Sequence, residues 1–405
     1  MTRPLLAVLA VAACAATAAP ALGAPPELSA RSAFLFQPDT RDIIYAKSAR
    51  ARRPVASTTK LMTALVALDE LKLKRTYTLP PYAASPAESV AGLRGGERMT
   101  FADLLRAMML PSANDAAYAL AVLSAGSVPA FVRDMNARAR ELGLRNSRFS
   151  TPVGLDQAGN YSSAEDLVKM ALLLRSNSFV REIIDLPQAV LRSGARERVV
   201  VNRNRLIARH PFVSGVKTGH TLGAGYVLVG SASQDGISVV SSVLGAPSED
   251  ARDADSLALL RYGLSRYERR PAVRAREVLA RVPVEDQGDL RAELTAERTL
   301  RVVARKRERL RVRVMDAPES VEGPLRAGTK MGTVQVLRRG DVVASTALVV
   351  GRAVPEATAP QRVRSWLSRT GTLVLLAFLV GCTVLLVLLR RRVVQKRRLQ
   401  ARESS

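Results

Sequence analysis

From Gly371 to Leu389 the chain runs for 19 residues without a charged side chain. As a helix rising about 1.5 Å per residue, the stretch spans about 28 Å, close to the hydrocarbon thickness of a bilayer. It has no polar face to offer water, which argues against a soluble core helix. Arg390, Arg391, Arg392, Lys396, Arg397, Arg398 and Arg402 follow it, whereas Arg362, Arg364, Arg369 and Trp366 precede it. The heavier positive flank is the C-terminal one, so the spacing predicts a single-pass transmembrane helix over 371–389 and a cytoplasmic basic tail over 390–405. The body upstream must then fold outside the cell membrane.

The other end agrees. Met1-Thr2-Arg3 leads into an apolar stretch from Pro4 to Ala19, followed by small residues up to Ala24. Residues 1–24 read as a secretory signal peptide, cut between Ala19 and Pro25. Val11-Ala12-Ala13-Cys14 loosely resembles a lipid-attachment site, but its apolar run is short. The one other cysteine is Cys382, so the exported body holds no disulfide and no thiolate metal site. His210 and His220 form no His-x-x-x-His pair, and the reading calls for no metal and no cofactor. The net charge of +25 is spread along the chain, mostly as arginine, with 4% aromatic residues and no nucleic-acid module. It reads as a solvated surface facing an anionic wall or membrane, not as a nucleic-acid binder.

The body divides in two. Ala33–Phe36, a turn at Pro38-Asp39-Thr40 and Ile43–Tyr45 read as strand, turn, strand. A helix is predicted from Ser57 to Leu73, then a helical middle with Phe101–Met109, Ala116–Val122 and Phe131–Leu142 as its clearest pieces. Strands follow at Val213–Thr218, Gly225–Ser231 and Ile237–Leu244, and a helix at Ala251–Tyr267. Strands at both ends with helices between predict an α/β domain over 28–268, built on a mainly antiparallel sheet. Residues 272–352 read as a small all-β domain: Leu310, Val312 and Val314 alternate with Arg311 and Arg313, and Arg339-Gly340-Asp341 marks a hairpin. Residues 353–370, rich in Pro and Ala at their start, read as a linker to the membrane.

Three short motifs carry chemistry. Ser57-Thr58-Thr59-Lys60 opens the first predicted helix, and residues three apart share a helix face. Ser57 at the N-terminus gains from the helix dipole, and Lys60 one turn on is surrounded by Leu61, Met62 and other apolar residues. Burial disfavours the lysine's charge, and a neutral amine can take the proton of a serine nucleophile without any histidine. Alone, the spacing reads better as a capping serine and a surface lysine, so the motif needs company. Ser112-Ala113-Asn114 offers a hydroxyl for proton relay and an amide for a substrate carbonyl. Lys217-Thr218-Gly219, on a predicted strand, pairs a cation with a hydroxyl for a carboxylate, and its glycine allows close backbone approach. The order of the three is much more specific than any one. A Ser57/His220/Asp triad is a weaker reading, because no Gly-x-Ser-x-Gly elbow is present, and His210 reads as a loop or interface residue.

With these motifs in place the chain resembles the low-molecular-weight penicillin-binding proteins, specifically the serine D-Ala-D-Ala carboxypeptidases. The carrying segments are Pro54–Thr63, Ser112–Ala116, Thr151-Pro152-Val153-Gly154-Leu155-Asp156 and Gly215–Thr221, and the likeness runs from about Ala33 to about Gly351. The resemblance implies a β-lactamase/transpeptidase-like fold in which the penultimate D-Ala of a peptidoglycan stem pentapeptide acylates Ser57, releasing the last D-Ala, and water completes hydrolysis. It implies that Ser112 and Asn114 assist proton transfer and placement, that Lys217 and Thr218 grip the terminal carboxylate, and that the backbone N–H groups of Ser57 and His220 form the oxyanion hole beside Gly219. β-Lactams are then expected to acylate the same serine. Two departures stand out: Ala113 sits where relatives often have Gly, and the anchor is a full span where many relatives use an amphipathic helix. A class A β-lactamase would need a Glu-x-x-Leu-Asn, and Glu141-Leu142-Gly143-Leu144-Arg145-Asn146 misses it by one residue. A DD-endopeptidase cutting cross-links, or a non-catalytic wall scaffold, are the other readings the sequence allows.

Overall fold

The computed structural model describes residues 23–403 apart from residue 369, with side chains described to residue 395. All but the last two residues of the 1–24 leader therefore lie outside the described residues. The chain divides into two compact units. One comprises the residues up to Glu268 together with Val303–Lys306, and the other Arg269–Val302 together with the residues from Arg307.

In the first unit β1 (Ser32–Gln37) and β2 (Asp42–Lys47) form a hairpin, and a 3-10 turn, Ala56–Thr59, runs straight into α1 (Lys60–Glu70). The short strands β3 (Thr76–Thr78) and β4 (Arg98–Thr100) precede α2 (Phe101–Met109), α3 (Asn114–Ala125), α4 (Val128–Glu141) and α5 (Ala164–Ser176). Then come α6 (Ser178–Ile184), the hairpin β5 (Gln188–Leu191) and β6 (Arg198–Val201), and the single turn α7 (Leu206–Arg209). Three long strands, β7 (Val213–Thr221), β8 (Gly225–Gln234) and β9 (Ile237–Ala246), lead to α8 (Glu249–Ser265). Four of the helices start on a hydroxyl cap: Thr100, Ser127, Ser163 and Ser248 each accept from the backbone N–H three residues on.

The five long strands make one antiparallel sheet in the order β2-β1-β9-β8-β7. Successive strand residues point to opposite faces. Ala33, Leu35, Leu228, Val239 and Val243 join Leu259 and Leu260 of α8 in one core, while Phe34, Val227, Val229, Val240 and Leu244 join the helical core on the other side. Burial of both faces explains why Val227–Val229, Val239-Val240 and Val243-Leu244 are consecutive apolar residues. α1 lies within the helical core, and all of Lys60–Ala67 is buried. The helix thereby carries its lysine out of water.

The second unit holds β10 (Tyr267–Val273), β11 (Val278–Pro283), β12 (Arg291–Ala296), β13 (Leu300–Arg305), β14 (Arg311–Met315), β15 (Lys330–Arg338) and β16 (Asp341–Val350), though the ends of β10 and β13 lie in the first. Its five-stranded sheet runs β11-β12-β16-β15-β14 over a core of Val282, Leu294, Val334, Val336, Leu348 and Val350. Arg339 and Gly340 both have positive φ, 54° and 101°, between the paired Arg338 and Asp341. That is the two-residue turn whose twist matches a hairpin.

Beyond the sheet the segment read as a linker contains a helix, α9 (Ala359–Ser368). Pro360 stands in its first turn, where a missing N–H costs nothing, so proline starts this helix instead of breaking it. α10 (Thr370–Glu403) contains Thr370–Gln395, long and apolar enough to cross a bilayer once. The helix continues into the basic tail because Arg, Lys, Gln and Leu are good helix formers.

Candidate active site

The turn that carries Ser57 is held in a conformation that ordinary residues avoid. Ala56 has φ +48°, in the left-handed region. Two glycines make room for it. A β-carbon on Gly154, itself at φ +88°, would lie 2.1 Å from the Ala56 carbonyl oxygen. One on Gly219 of β7 would lie 3.0 Å from the Ser57 backbone nitrogen. The glycine of the Lys-Thr-Gly motif thus admits the serine's own turn, where the sequence suggested an approaching substrate. Thr58 closes the turn through its N–H and hydroxyl, both donated to the Val55 carbonyl at 3.2 and 2.6 Å. Asn160 donates to the Thr59 hydroxyl at 3.1 Å.

Lys60 opens α1 and is fully buried. Its Nζ lies 3.0 Å from Ser57 Oγ, 2.6 Å from Asn114 Oδ1 and 2.6 Å from the Val153 carbonyl oxygen. Burial and, second to it, the positive charge of Arg203 bring the amine's pKa down to about 7, against the opposite pull of Glu88 and Asp115. A neutral amine has two N–H bonds and one lone pair. With Asn114 and Val153 accepting the two N–H bonds, the lone pair is left for the Ser57 hydroxyl.

Ser112 sits just before α3 at φ +68° and is buried, and among the described residues its hydroxyl has no hydrogen-bond partner. Asn114, the first residue of α3, spends its carbonyl oxygen on Lys60 and donates Nδ2 to Glu88 at 2.7 Å. The sequence reading gave the Asn114 amide to a substrate carbonyl. In the fold one N–H remains for that, and the rest of the group holds the lysine.

On β7, Lys217 is buried and its Nζ donates to the Thr218 carbonyl at 3.0 Å. Burial, then the positive charges of Lys60, Arg203 and Arg252, hold its pKa well below the ordinary lysine value. A cleft of about 860 Å³ is lined by Ser57, Ser112, Asn114, Thr218, Gly219 and His220. Lys217 is not on that lining and stands behind Thr218. The His220 ring stacks on Tyr226 at 4.0 Å, and the Ser57 hydroxyl is bonded to Lys60, so the geometry favours the lysine over a histidine triad.

The same cleft is lined by residues that the motifs do not mark. Arg198, Arg203, Arg205 and Arg252 make its walls basic, with Glu88 and Glu249 among them. In so arginine-rich a chain, none stands out from the sequence. The Val153 carbonyl has no side-chain signature at all, although its segment, Thr151–Asp156, belongs to the resemblance. That segment also anchors Thr63, whose hydroxyl donates to the Pro152 carbonyl at 2.6 Å. Asp156 accepts from Thr221 and the Gly223 N–H at the end of β7.

A sheet buried on both faces, with a serine and a shielded lysine on one helical turn beside it, defines a serine hydrolase of the penicillin-binding class. Residues 18–248 match the D-alanyl-D-alanine carboxypeptidase family. The chain is 33% identical over 325 residues to D-alanyl-D-alanine carboxypeptidase DacF of Bacillus subtilis, covering 78% of this chain and 84% of that one. It is 31% identical over 353 residues to DacA of Escherichia coli, covering 82% and 85%. Penicillin binding protein 5 of Haemophilus influenzae superposes with a TM-score of 0.59 at 29% identity, over 82% of this chain and all of that one. The chain therefore belongs to the D-alanyl-D-alanine carboxypeptidase family.

Proposed function

We propose that the chain is a membrane-anchored serine carboxypeptidase that removes the terminal D-Ala from peptidoglycan stem pentapeptides through an ester on Ser57. The observation that carries this reading is the Lys60 amine, buried, 3.0 Å from Ser57 Oγ and satisfied on its other side by Asn114 and Val153. Neutral Lys60 takes the hydroxyl proton as Oγ attacks the penultimate D-Ala carbonyl. The oxyanion collects at the backbone N–H groups of Ser57 and His220. The unpartnered Ser112 hydroxyl then passes the proton to the departing amine of the last D-Ala, and water reverses the sequence to free the shortened peptide. Thr218 meets the terminal carboxylate in the cleft, and Lys217 behind it regains a counter-charge when that carboxylate arrives. β-Lactams present the same carboxylate and a strained carbonyl to the same serine. The C-terminal helix holds the catalytic body outside the cell with the basic tail in the cytoplasm, as its flanking charges suggest.

The test is labelling with a fluorescent penicillin, wild type beside Ser57→Ala, followed by assay of free D-Ala from a pentapeptide and of cleavage of cross-linked dimers. Labelled wild type, unlabelled Ser57→Ala and D-Ala release support the reading. A folded wild type that takes no label overturns it, and dimer cleavage without D-Ala release makes the chain an endopeptidase.

A further inference from the structure

Glu88 has no place in the motifs, yet it stands in the cleft wall in direct contact with them. Its Oε2 accepts from Asn114 Nδ2 at 2.7 Å and from the Tyr82 hydroxyl, and its Oε1 accepts from the Ser85 N–H at 3.0 Å. We propose that Glu88 is a positioning residue that locks the Asn114 amide in one of its two flip states and so fixes the direction of the Lys60 lone pair. The proposal rests on the Ser57–Lys60 reading above.

A carboxylate only accepts hydrogen bonds, so the amide nitrogen of Asn114 must face Glu88 and its oxygen must face Lys60. Flipping the amide would set oxygen against oxygen at Glu88. It would also aim an N–H at the Lys60 nitrogen, where it would compete with the Ser57 proton for the lone pair. The loop bearing Glu88 is stitched to the start of α3, so the lock moves with Asn114. Asn114 N–H donates to the Ser89 carbonyl at 2.6 Å, and Ser89 Oγ to the Pro111 carbonyl at 3.0 Å. Asp115 accepts from the N–H groups of Ala91 and Leu93, and Tyr82 packs on Tyr118 with ring centroids 4.9 Å apart. Burial pushes the Glu88 carboxyl up, but hydrogen bonds from Tyr82, Asn114 and Ser85 outweigh it and keep the group ionised. With three of its acceptor positions taken, Glu88 has little left for a ligand.

Glu88 also bears on the lysine's charge. Arg203 opposes a proton on Lys60, while Glu88 and Asp115 favour it. Neutralising Glu88 therefore moves the acid limb of acylation to lower pH, an effect that loss of a merely structural contact would not produce.

The experiment follows acylation by a fluorescent penicillin against pH for the full-length chain in detergent. The variants are Glu88→Gln, Glu88→Ala, Asn114→Ala and the double variant, with Ser57→Ala as control. Glu88→Ala is expected to slow the plateau rate about tenfold. In the Asn114→Ala background the same change is expected to cost less than about twofold, because its effect runs through that amide. Glu88→Gln, nearly isosteric, is expected to shift the acid limb downward, and it replaces Glu88→Ala in the cycle if the latter melts below assay temperature. A wild-type plateau rate in both Glu88 variants, or losses that multiply in the double variant, overturns the proposal. Wild type labelling that is lost in Ser57→Ala leaves the acyl-enzyme reading standing whatever Glu88 does. Absence of label on folded wild type retires both.

Discussion

A β-carbon on Gly154 would fall 2.1 Å from the carbonyl oxygen of Ala56, so two segments almost a hundred residues apart touch at a point where only hydrogen fits. Gly154 also has φ +88°, and its neighbour Val153 supplies one of the Lys60 acceptors. Gly154→Ala is expected to cost about 2–4 kcal/mol of stability, from backbone strain and the forced shift of the Ser57 turn. Thermal melting and penicillin labelling together check it: a lower Tm with loss of label is expected, and an unchanged rate would mean the turn relaxes freely.

The Lys60 pKa of about 7 sets a pH dependence. The base works only when neutral, so acylation is expected to rise with pH and reach half its plateau near pH 7. An ordinary lysine would place that midpoint about three units higher. Stopped-flow acylation over this range checks it. Lys60→Ala is expected to lower the rate by about 10²–10⁴ with secondary structure retained by circular dichroism.

Ser112 separates catalysis from stability. Its buried hydroxyl has no partner among the described residues, so Ser112→Ala removes an unsatisfied group and is expected to leave Tm unchanged or slightly raised. Turnover is expected to fall about 10²-fold through loss of the relay. Parallel melting and D-Ala release measure the two effects.

One guanidinium nitrogen of Arg198, Nη2, donates to both carboxylate oxygens of Glu97 at 2.7 and 2.9 Å, and this buried pair ties the residue before β4 to the start of β6 at the cleft wall. Glu97→Ala is expected to cost about 3 kcal/mol by leaving a buried guanidinium unpaired. Burial pushes the Glu97 carboxyl up, but its hydrogen bonds from Arg198, Ala195 and Arg94 win and hold it below the ordinary value. Its stabilising contribution is therefore complete above the ordinary carboxylate pKa, about 4.3, and lost as pH falls through the folded one. Denaturant melts of wild type and variant should converge in acid, and a constant gap would assign the loss to packing.

Truncation ahead of Ala359 removes α9 and α10. The shortened chain is expected to leave the membrane fraction while keeping its penicillin label, which fractionation and gel fluorescence would show.

Much of this was legible in the sequence because it rests on local periodicity. Ser57 and Lys60 are one turn apart, and the alternation in β14 survives any packing detail. Side-chain direction was not legible. Lys217 is buried and its amine donates to the Thr218 carbonyl, a contact that no residue spacing announces. The carbonyl of Val153 and the carboxylate of Glu88 reach the site through loops whose paths depend on long-range contacts. α5 is not among the helices the pattern predicts, although Ser163 and Asp166 form its cap.

Gly219 also bears on drug resistance. The strand proposed to receive a drug's acid group and the turn proposed to attack its ring touch with no spare volume between them. A substitution that thickened this strand to repel an antibiotic would displace the enzyme's own attacking oxygen. Escape from β-lactams at this position should therefore carry an immediate loss of wall-trimming activity, and tolerated resistance changes should fall on the rim instead.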